Sequence, residues 1–157
     1  MFCINALLNK LNVMCITPTG SGKSVVMYMY TLCIKKMNPK SLVVVGMPLS
    51  SLIDEQLNNS FKIPVLTLSM GAKLKGNSVE AHGQPSLAAQ GSQQHLDIEE
   101  ACSGKFGLLF GHPEAFASEV GQKMLRRLSD KLEIAAVMVD EVHQGMFITG
   151  VNGLKWN

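Results

Sequence analysis

The stretch CITPTGSGKSVVMY, residues 15–28, decides the fold because it interrupts an apolar pattern with glycines and Lys-Ser. The apolar run at 12–17 predicts a buried strand, and the pattern at 22–37 predicts a helix that stops before Pro39. A strand, a Gly-rich loop and a helix in this order match the phosphate-binding pattern Gly-x-x-x-x-Gly-Lys-Ser/Thr, with Thr17 in its first position. The stretch therefore predicts a fold that binds a nucleoside triphosphate.

The loop residues have a common task in this interpretation. Glycines let successive N–H groups turn toward one point beside the helix N-terminus, which makes a nest for an anion. Lys23 is expected to reach the β- and γ-phosphates, and the Ser24 hydroxyl to bind Mg²⁺. The predicted site for ATP or GTP consists of Thr17, Pro18, Thr19, Gly20, Ser21, Gly22, Lys23 and Ser24. The plainer alternative is a Gly-rich turn with a lysine on the surface.

A second motif, VMVDEVH at 137–143, ends an apolar strand on two carboxylates. Asp140 is expected to hold Mg²⁺ through water, and Glu141 to position and deprotonate the attacking water. Ligands bind at the carboxyl edge of parallel sheets, which is where this pair would lie. The alternative is a strand end that faces solvent.

The remaining pattern alternates strands and helices. It predicts further strands at 41–48, 65–70, 106–113 and 134–141, and helices at 3–10, 51–59, 96–102 and 114–128. The predicted fold class is therefore α/β, a three-layer parallel sheet with helices on both faces, and the runs at 43–45 and 135–139 suit central strands. Residues 71–95, rich in Gly, Ser, Gln and Ala, predict a flexible surface insertion.

Composition limits the other possibilities. With 157 residues, 46% hydrophobic and 17% charged, the chain is expected to form one globular domain, and its net charge of +2 gives no bulk argument for nucleic-acid binding. The four cysteines lack zinc-ligand spacing, which predicts reduced, mostly buried thiols and no structural zinc. Asn and Lys interrupt the apolar start, so neither a signal peptide nor a membrane span is expected.

Four motifs together resemble a known family. TPTGSGKS at 17–24, PLSSLIDEQL at 48–57, LLFGHPEAF at 108–116 and VMVDEVH at 137–143 resemble the first motor domain of superfamily 2 helicases, and within it the RecQ-type DNA helicases. The run from Pro48 to Gln56 is the most family-specific piece, with Glu55 where aspartate is usual. The resemblance implies a RecA-like P-loop ATP-binding domain at 1–144, with a long insertion near 71–95, followed by a divergent tail at 145–157.

The resemblance also implies an activity and a set of contacts. It implies hydrolysis of ATP with Mg²⁺, coupled to 3′-to-5′ unwinding of DNA in repair and recombination, in the nucleus or alternatively the cytoplasm. By the same resemblance, His143 would belong to the ATP site and couple the nucleotide to DNA. The residues expected along the DNA backbone are Pro48, Leu49, Ser50, Ser51, Pro113 and Glu114.

Several family features do not occur in these 157 residues: the adenine-reading glutamine, the Ser-Ala-Thr motif and the second motor domain. The chain is therefore expected to be a helicase fragment with an incomplete sheet, which binds MgATP weakly and does not unwind DNA by itself. Two alternatives stay open at this point, a degenerate non-catalytic module that binds a nucleotide or a partner, and an unrelated P-loop kinase or NTPase.

Overall fold

A computed structural model gives the fold of residues 2–16, 18, 21–48, 50–58, 62–70, 72–75 and 95–140. The helices are α1 (Phe2–Leu8), α2 (Lys23–Met37), α3 (Ser50–Asn58), α4 (Ile98–Ala101), α5 (Pro113–Ala117) and α6 (Glu119–Lys131). The strands are β1 (Ser41–Gly46), β2 (Val65–Leu68), β3 (Lys73–Lys75), β4 (His95–Asp97), β5 (Leu108–Gly111) and β6 (Glu133–Val139).

Four of these strands form one parallel sheet in the order β2-β5-β1-β6. Every residue of β1 and β5 is buried, as a strand covered on both faces requires. Val43 and Val45 pack with residues of α2 and α3 on one face, whereas Leu42 and Val44 pack with residues of α5 and α6 on the other. The predicted three-layer α/β fold, a parallel sheet between two helical layers, is confirmed.

The strand register brings the carboxyl ends of the sheet to one edge. Gly46 at the end of β1 pairs with Gly111 of β5 and with Val139 of β6, and Leu68 of β2 also pairs with Gly111. Because all four strands are parallel, the residues that follow them leave the sheet on the same side. We call this side the carboxyl edge.

The contacts of α2 show its direction relative to the sheet. Near its end, the Lys35 Nζ donates to the carbonyl of Gly104, which precedes β5, at 2.6 Å. Halfway along, the Tyr30 hydroxyl donates to the carbonyl of Ala135, in the first half of β6, at 3.1 Å. The helix therefore runs antiparallel to the strands, and its N-terminus, beginning at Lys23, points to the carboxyl edge.

The predicted strand at 12–17 is wrong for the part that the structure describes. Residues 12–16 belong to neither sheet, and Met14 and Ile16 are 79% and 84% exposed. An apolar run becomes a strand only where a neighbouring strand offers ladder hydrogen bonds, and the sequence pattern does not contain that information. Thr17 lies outside the described residues.

The central position predicted for 135–139 is also wrong within the described sheet. β6 lies at its end, paired with β1 alone, and Val137 is 36% exposed. The central position predicted for 43–45 is confirmed, because β1 has β5 on one side and β6 on the other. Both runs are apolar on both faces of the sheet. Their sequences therefore look alike, although β1 has two neighbouring strands and β6 has one in the described sheet.

Two further predictions need correction. The helix predicted at 114–128 is two helices, because Ser118 adopts an extended conformation between α5 and α6. The insertion predicted at 71–95 contains β3, and its last residue begins β4; these two strands form a separate parallel pair. Residues 71 and 76–94 of that insertion and the tail at 145–157 lie outside the described residues.

The cysteines and the helix lengths complete the description. All four cysteines are free thiols; Cys15 is exposed and the others are half-buried, so the prediction of mostly buried thiols is wrong. Among the described helices, none combines the length and the apolar character that crossing a membrane requires.

Candidate functional site

The start of α2 has the backbone that a phosphate loop needs. Gly22, the N-cap residue, has φ +87° and ψ +23°, a left-handed conformation that side chains other than glycine rarely adopt. The Val25 and Val26 N–H groups donate to the Gly22 carbonyl at 3.0 and 3.4 Å and close the first turn. Since Gly22 has no side chain to cap the helix, and the first turn has no acidic residue, this terminus suits an anion.

Lys23 and Ser24 are the first two residues of this helix, and both are half-buried. The Ser24 Oγ accepts a hydrogen bond of 3.2 Å from the Gln56 Nε2 of α3. Ahead of the helix, the Ser21 N–H donates to the Pro18 carbonyl at 3.3 Å, which makes the chain turn just before Gly22. Lys23 and Ser24 are thus adjacent residues at the N-terminus of a 15-residue helix.

Asp140 lies at the carboxyl edge, one residue beyond β6. Its N–H donates to the Gly46 carbonyl at 3.0 Å, which continues the β1–β6 ladder past the last strand residue. The residue is half-buried. This hydrogen bond puts the aspartate directly beside the end of the central strand.

The hydrogen bond between Tyr30 of α2 and Ala135 of β6 gives a common starting point for comparing how far the helix and the strand extend toward the carboxyl edge. Seven residues of helix lead from Tyr30 to Lys23, a rise of about 10 Å. Five residues of strand lead from Ala135 to Asp140, a rise of about 16 Å. Since both run toward the carboxyl edge, Lys23 and Asp140 approach the same end of the sheet, as the predicted triphosphate site requires.

The rest of the predicted nucleotide site lies outside the described residues. These residues are Thr17, Thr19, Gly20, Glu141 and His143, and their roles stay predictions.

The residues predicted to contact DNA follow two neighbouring strands. Pro48, half-buried, comes just after β1, and Pro113 and Glu114 begin α5 just after β5. The Met47 N–H donates to the Gly111 carbonyl at 3.0 Å, so the two segments leave the sheet side by side. Pro113 is buried and Glu114 is exposed, so of these two residues only Glu114 is accessible at the surface.

The helix α3 begins at Ser50, close to this point. Ser50 and Ser51 form its first two residues, and Leu49 lies outside the described residues. The DNA contacts predicted for these three residues and for Pro48 stay predictions.

Sequence reasoning did not assign a role to Gln56, which contacts Ser24 at the end of the phosphate-loop motif, or to Tyr28, which contacts Gln56. The Tyr28 hydroxyl is 2.6 Å from the Gln56 Oε1 and 2.9 Å from the Gln56 carbonyl oxygen. Burial, with a smaller effect from the charge of Glu55, raises the pKa of Tyr28 to about 12. One signal was available: Gln56 follows Ile53 by three residues and is therefore on the apolar face of its helix.

The residues present fit a magnesium–nucleotide complex. Mg²⁺ takes few protein ligands, often one hydroxyl or carboxylate together with phosphate oxygens and water. The Ser24 hydroxyl and the Asp140 carboxylate are groups of this kind at one edge of the sheet, beside a helix N-terminus started by a left-handed glycine. Within the part of the chain that the structure describes, no cluster of three or more His, Cys, Asp or Glu side chains could hold a metal ion.

A parallel sheet between two helical layers, with these groups at its carboxyl edge, is the architecture of a RecA-like helicase motor domain. The family model for DEAD/DEAH box helicases matches residues 2–147, and the chain belongs to that family. No curated protein and no solved structure matches the chain. Domains of this family typically bind ATP with magnesium, and the family suggests a nucleic-acid partner. The alternative of an unrelated P-loop kinase or NTPase is thereby removed.

Proposed function

We propose that this chain is the ATP-binding motor part of a RecQ-like DNA helicase, which acts 3′ to 5′ in DNA repair and recombination in the nucleus. The observation that carries the proposal is that the start of α2 points to the same carboxyl edge of the sheet at which Asp140 lies. Two sequence motifs, separated by more than a hundred residues, thus lead to the same edge, which supports a site for nucleotide hydrolysis.

The proposed mechanism assigns one task to each group. The helix N-terminus at Gly22 and the Lys23 ammonium hold the β- and γ-phosphates and balance the charge that develops on them. The Ser24 hydroxyl and, through water, the Asp140 carboxylate would hold a magnesium ion, whose charge would neutralise that of the phosphates. Glu141 accepts the proton of a water whose oxygen bonds to the γ-phosphorus as the bond to ADP breaks.

The RecQ-like assignment and the choice of DNA rest on the stretch from Pro48 to Gln56. Its Pro-Leu-x-Ser-Leu pattern and its glutamine resemble that family. Pro48 leaves the sheet at the carboxyl edge, and α3 begins close by at Ser50. The free N–H groups at a helix N-terminus suit a phosphate backbone without net positive charge. A chain with a net charge of +2 requires such local contacts.

Calorimetric titration with MgATP tests the nucleotide site. The wild-type chain is expected to release heat on binding, and Lys23→Ala is expected to weaken binding at least tenfold, because the site loses its positive charge. Lys36→Ala is a matched control: Lys36 lies exposed at the opposite end of the same helix, so this variant should bind as the wild type does. Equal, negligible heats for all three proteins would instead support the non-catalytic module.

Fluorescence anisotropy with single-stranded DNA and RNA of the same sequence tests the nucleic-acid assignment. Tighter binding of DNA supports the RecQ-like proposal, and its affinity should fall with increasing salt because phosphates are contacted. Preference for RNA would contradict the RecQ-like part and leave the helicase family intact. The nuclear location is checked by imaging the tagged protein in its own cells.

A further inference from the structure

Gln56 joins two helices by its side chain. It lies in the last turns of α3, is 9% exposed, and its Nε2 donates to the Ser24 Oγ of α2 at 3.2 Å. Its Oε1 lies 2.6 Å from the hydroxyl of Tyr28, which is one turn further along α2. A buried amide with both ends hydrogen-bonded is held in one orientation, since rotation would break bonds in a place with little water.

Tyr28 sets that orientation. Its ring is 1% exposed, and its hydroxyl has the single proton that the Gln56 Oε1 and the Gln56 carbonyl oxygen share. With Oε1 directed to this proton, the two amide N–H groups of Gln56 must point the other way, toward Ser24. The hydroxyl of Tyr28, the amide of Gln56 and the hydroxyl of Ser24 therefore form a chain of hydrogen bonds, which we call the Gln56 relay.

The relay ends on the atom that the proposed function gives to magnesium. A serine hydroxyl oxygen has two lone pairs, and a side chain at its position is free to choose among staggered rotamers. The Gln56 N–H occupies one lone pair and thereby fixes the rotamer, which leaves the second lone pair for a metal ion. Groups that orient a metal ligand in this way typically change metal affinity by about 10- to 100-fold when removed.

We propose that Gln56 is a positioning residue that holds the Ser24 hydroxyl ready for magnesium through the Gln56 relay. The inference rests on the proposed function, because it presumes that Ser24 binds the metal of MgATP. It explains why a glutamine occupies a buried position of α3, where an apolar residue would serve packing alone.

The test compares ATP affinity in the presence of Mg²⁺ and in the presence of EDTA, by calorimetry on the full 157-residue chain. Gln56→Leu is expected to lower the affinity for MgATP about tenfold and to leave the affinity for metal-free ATP unchanged. The variant is expected to fold, because the Tyr28 hydroxyl can still donate to the backbone carbonyl oxygen of residue 56, which lies 2.9 Å away. If it nevertheless fails to fold, Gln56→Met, unbranched like glutamine, takes its place.

Gln122→Leu is the matched control. Gln122 lies in α6 on the other face of the sheet, where its Nε2 donates to the Ala117 carbonyl at 3.2 Å. The same substitution there should leave both ATP affinities as in the wild type. A double variant separates this role from general destabilisation. If Gln56 acts through Ser24, Gln56→Leu should cause no further loss of magnesium dependence in a Ser24→Ala background.

The outcomes separate the two proposals. If the wild type binds MgATP and Lys23→Ala prevents it, while Gln56→Leu keeps the full magnesium dependence, the relay is wrong and the proposed function stands. Equal weakening of both ATP forms by Gln56→Leu would also overturn the relay, because it would show a packing role alone. A wild type that binds no ATP would remove the proposed function and the relay with it.

Discussion

Tyr28 shows what a single buried residue contributes near the phosphate loop. Its ring is in the core between α2 and α3, together with Ile53, and its hydroxyl is bonded to Gln56. Removal from water disfavours the phenolate, and the nearby carboxylate of Glu55 adds to this, so the pKa rises to about 12 from its usual 10.0. The hydroxyl is therefore a neutral donor throughout the physiological range.

This shift predicts a loss of stability at alkaline pH. Below about pH 10, both folded and unfolded chains keep the Tyr28 proton, and stability does not depend on it. Between about pH 10 and about pH 12, the unfolded chain releases the proton while the folded chain holds it, so the free energy of unfolding falls, by roughly 2–3 kcal/mol over that range. Urea unfolding from about pH 9 to about pH 11.5 measures this slope.

Tyr28→Phe provides the comparison. It should reduce the fall of the unfolding free energy with pH by the contribution of about one proton. The raised pKa of Tyr30, which also results from burial, stays in place. The chain has two tyrosines, so absorbance of the phenolate follows both titrations directly. An unchanged slope in Tyr28→Phe would show that its hydroxyl ionises as easily in the folded chain as in the unfolded one.

At the scale of the elements, Ser118 explains why one predicted helix became two. Its hydroxyl donates to the Ala115 carbonyl of α5 at 2.7 Å and accepts from the Gly121 N–H of α6 at 3.1 Å. A Cβ on Gly121 would lie only 2.0 Å from the same Ala115 carbonyl oxygen, so the two helices approach closely at a glycine. The serine thus ends one helix and caps the next, and it redirects the chain onto the sheet.

Replacing this cap should have a defined cost. Ser118→Ala removes the side-chain acceptor of the Gly121 N–H and is expected to lower the free energy of unfolding by about 1 kcal/mol. Ser129→Ala is the control within the same helix, since the exposed Ser129 hydroxyl only donates to the Arg126 carbonyl, and it should change stability by less than about 0.5 kcal/mol. Equal effects of the two substitutions in urea unfolding would contradict a capping role.

At the scale of the whole molecule, the central strands hold the two helical layers together. Phe110 of β5 is fully buried and packs under α2 and α3 with Val45 of β1 and with Met47, which follows that strand. Leu109, its neighbour in sequence, faces the layer of α5 and α6 instead. Because each residue of these strands faces one layer or the other, the sheet links both halves of the core into one unit.

Phe110→Ala tests that role. Truncation of a buried phenylalanine is expected to lower the free energy of unfolding by about 3–5 kcal/mol, a large part of the roughly 5–15 kcal/mol that a domain has. Phe2→Ala is the same substitution at a residue that is 86% exposed in α1, and it should cost less than about 0.5 kcal/mol. Circular dichroism during urea unfolding measures both, and similar costs would show that β5 is not part of the interior.

Prediction from sequence succeeded where the local pattern contains the physical cause. The β-branched run Ser41–Gly46 predicts a buried strand whichever neighbours it has, and the Asn38–Pro39 stop ends α2 as expected. Lys23, Ser24 and Asp140 were predicted as site residues from short motifs, and their roles stay predictions. The family match over residues 2–147 agrees with that reasoning.

Two of the wrong predictions, the strand at 12–17 and the central position of 135–139, depend on strand partners that lie far away along the chain. The run at 12–16 is as apolar as many strands, yet it is outside both sheets, and β6 is at the end of the described sheet although its composition suits the centre. In the sequence, Gln56 is one residue of a family motif. Only the structure shows that its side chain contacts Ser24.

The sequence alone determined the fold class, the central strand β1 and the helix that follows the phosphate-loop motif, because each depends on residues that are close together along the chain. Only the tertiary structure decided which strands pair, that Asp140 meets the end of β1, and that Gln56 contacts Ser24 across two helices. Those facts depend on packing between segments distant in sequence, and no local pattern contains the geometry of such contacts.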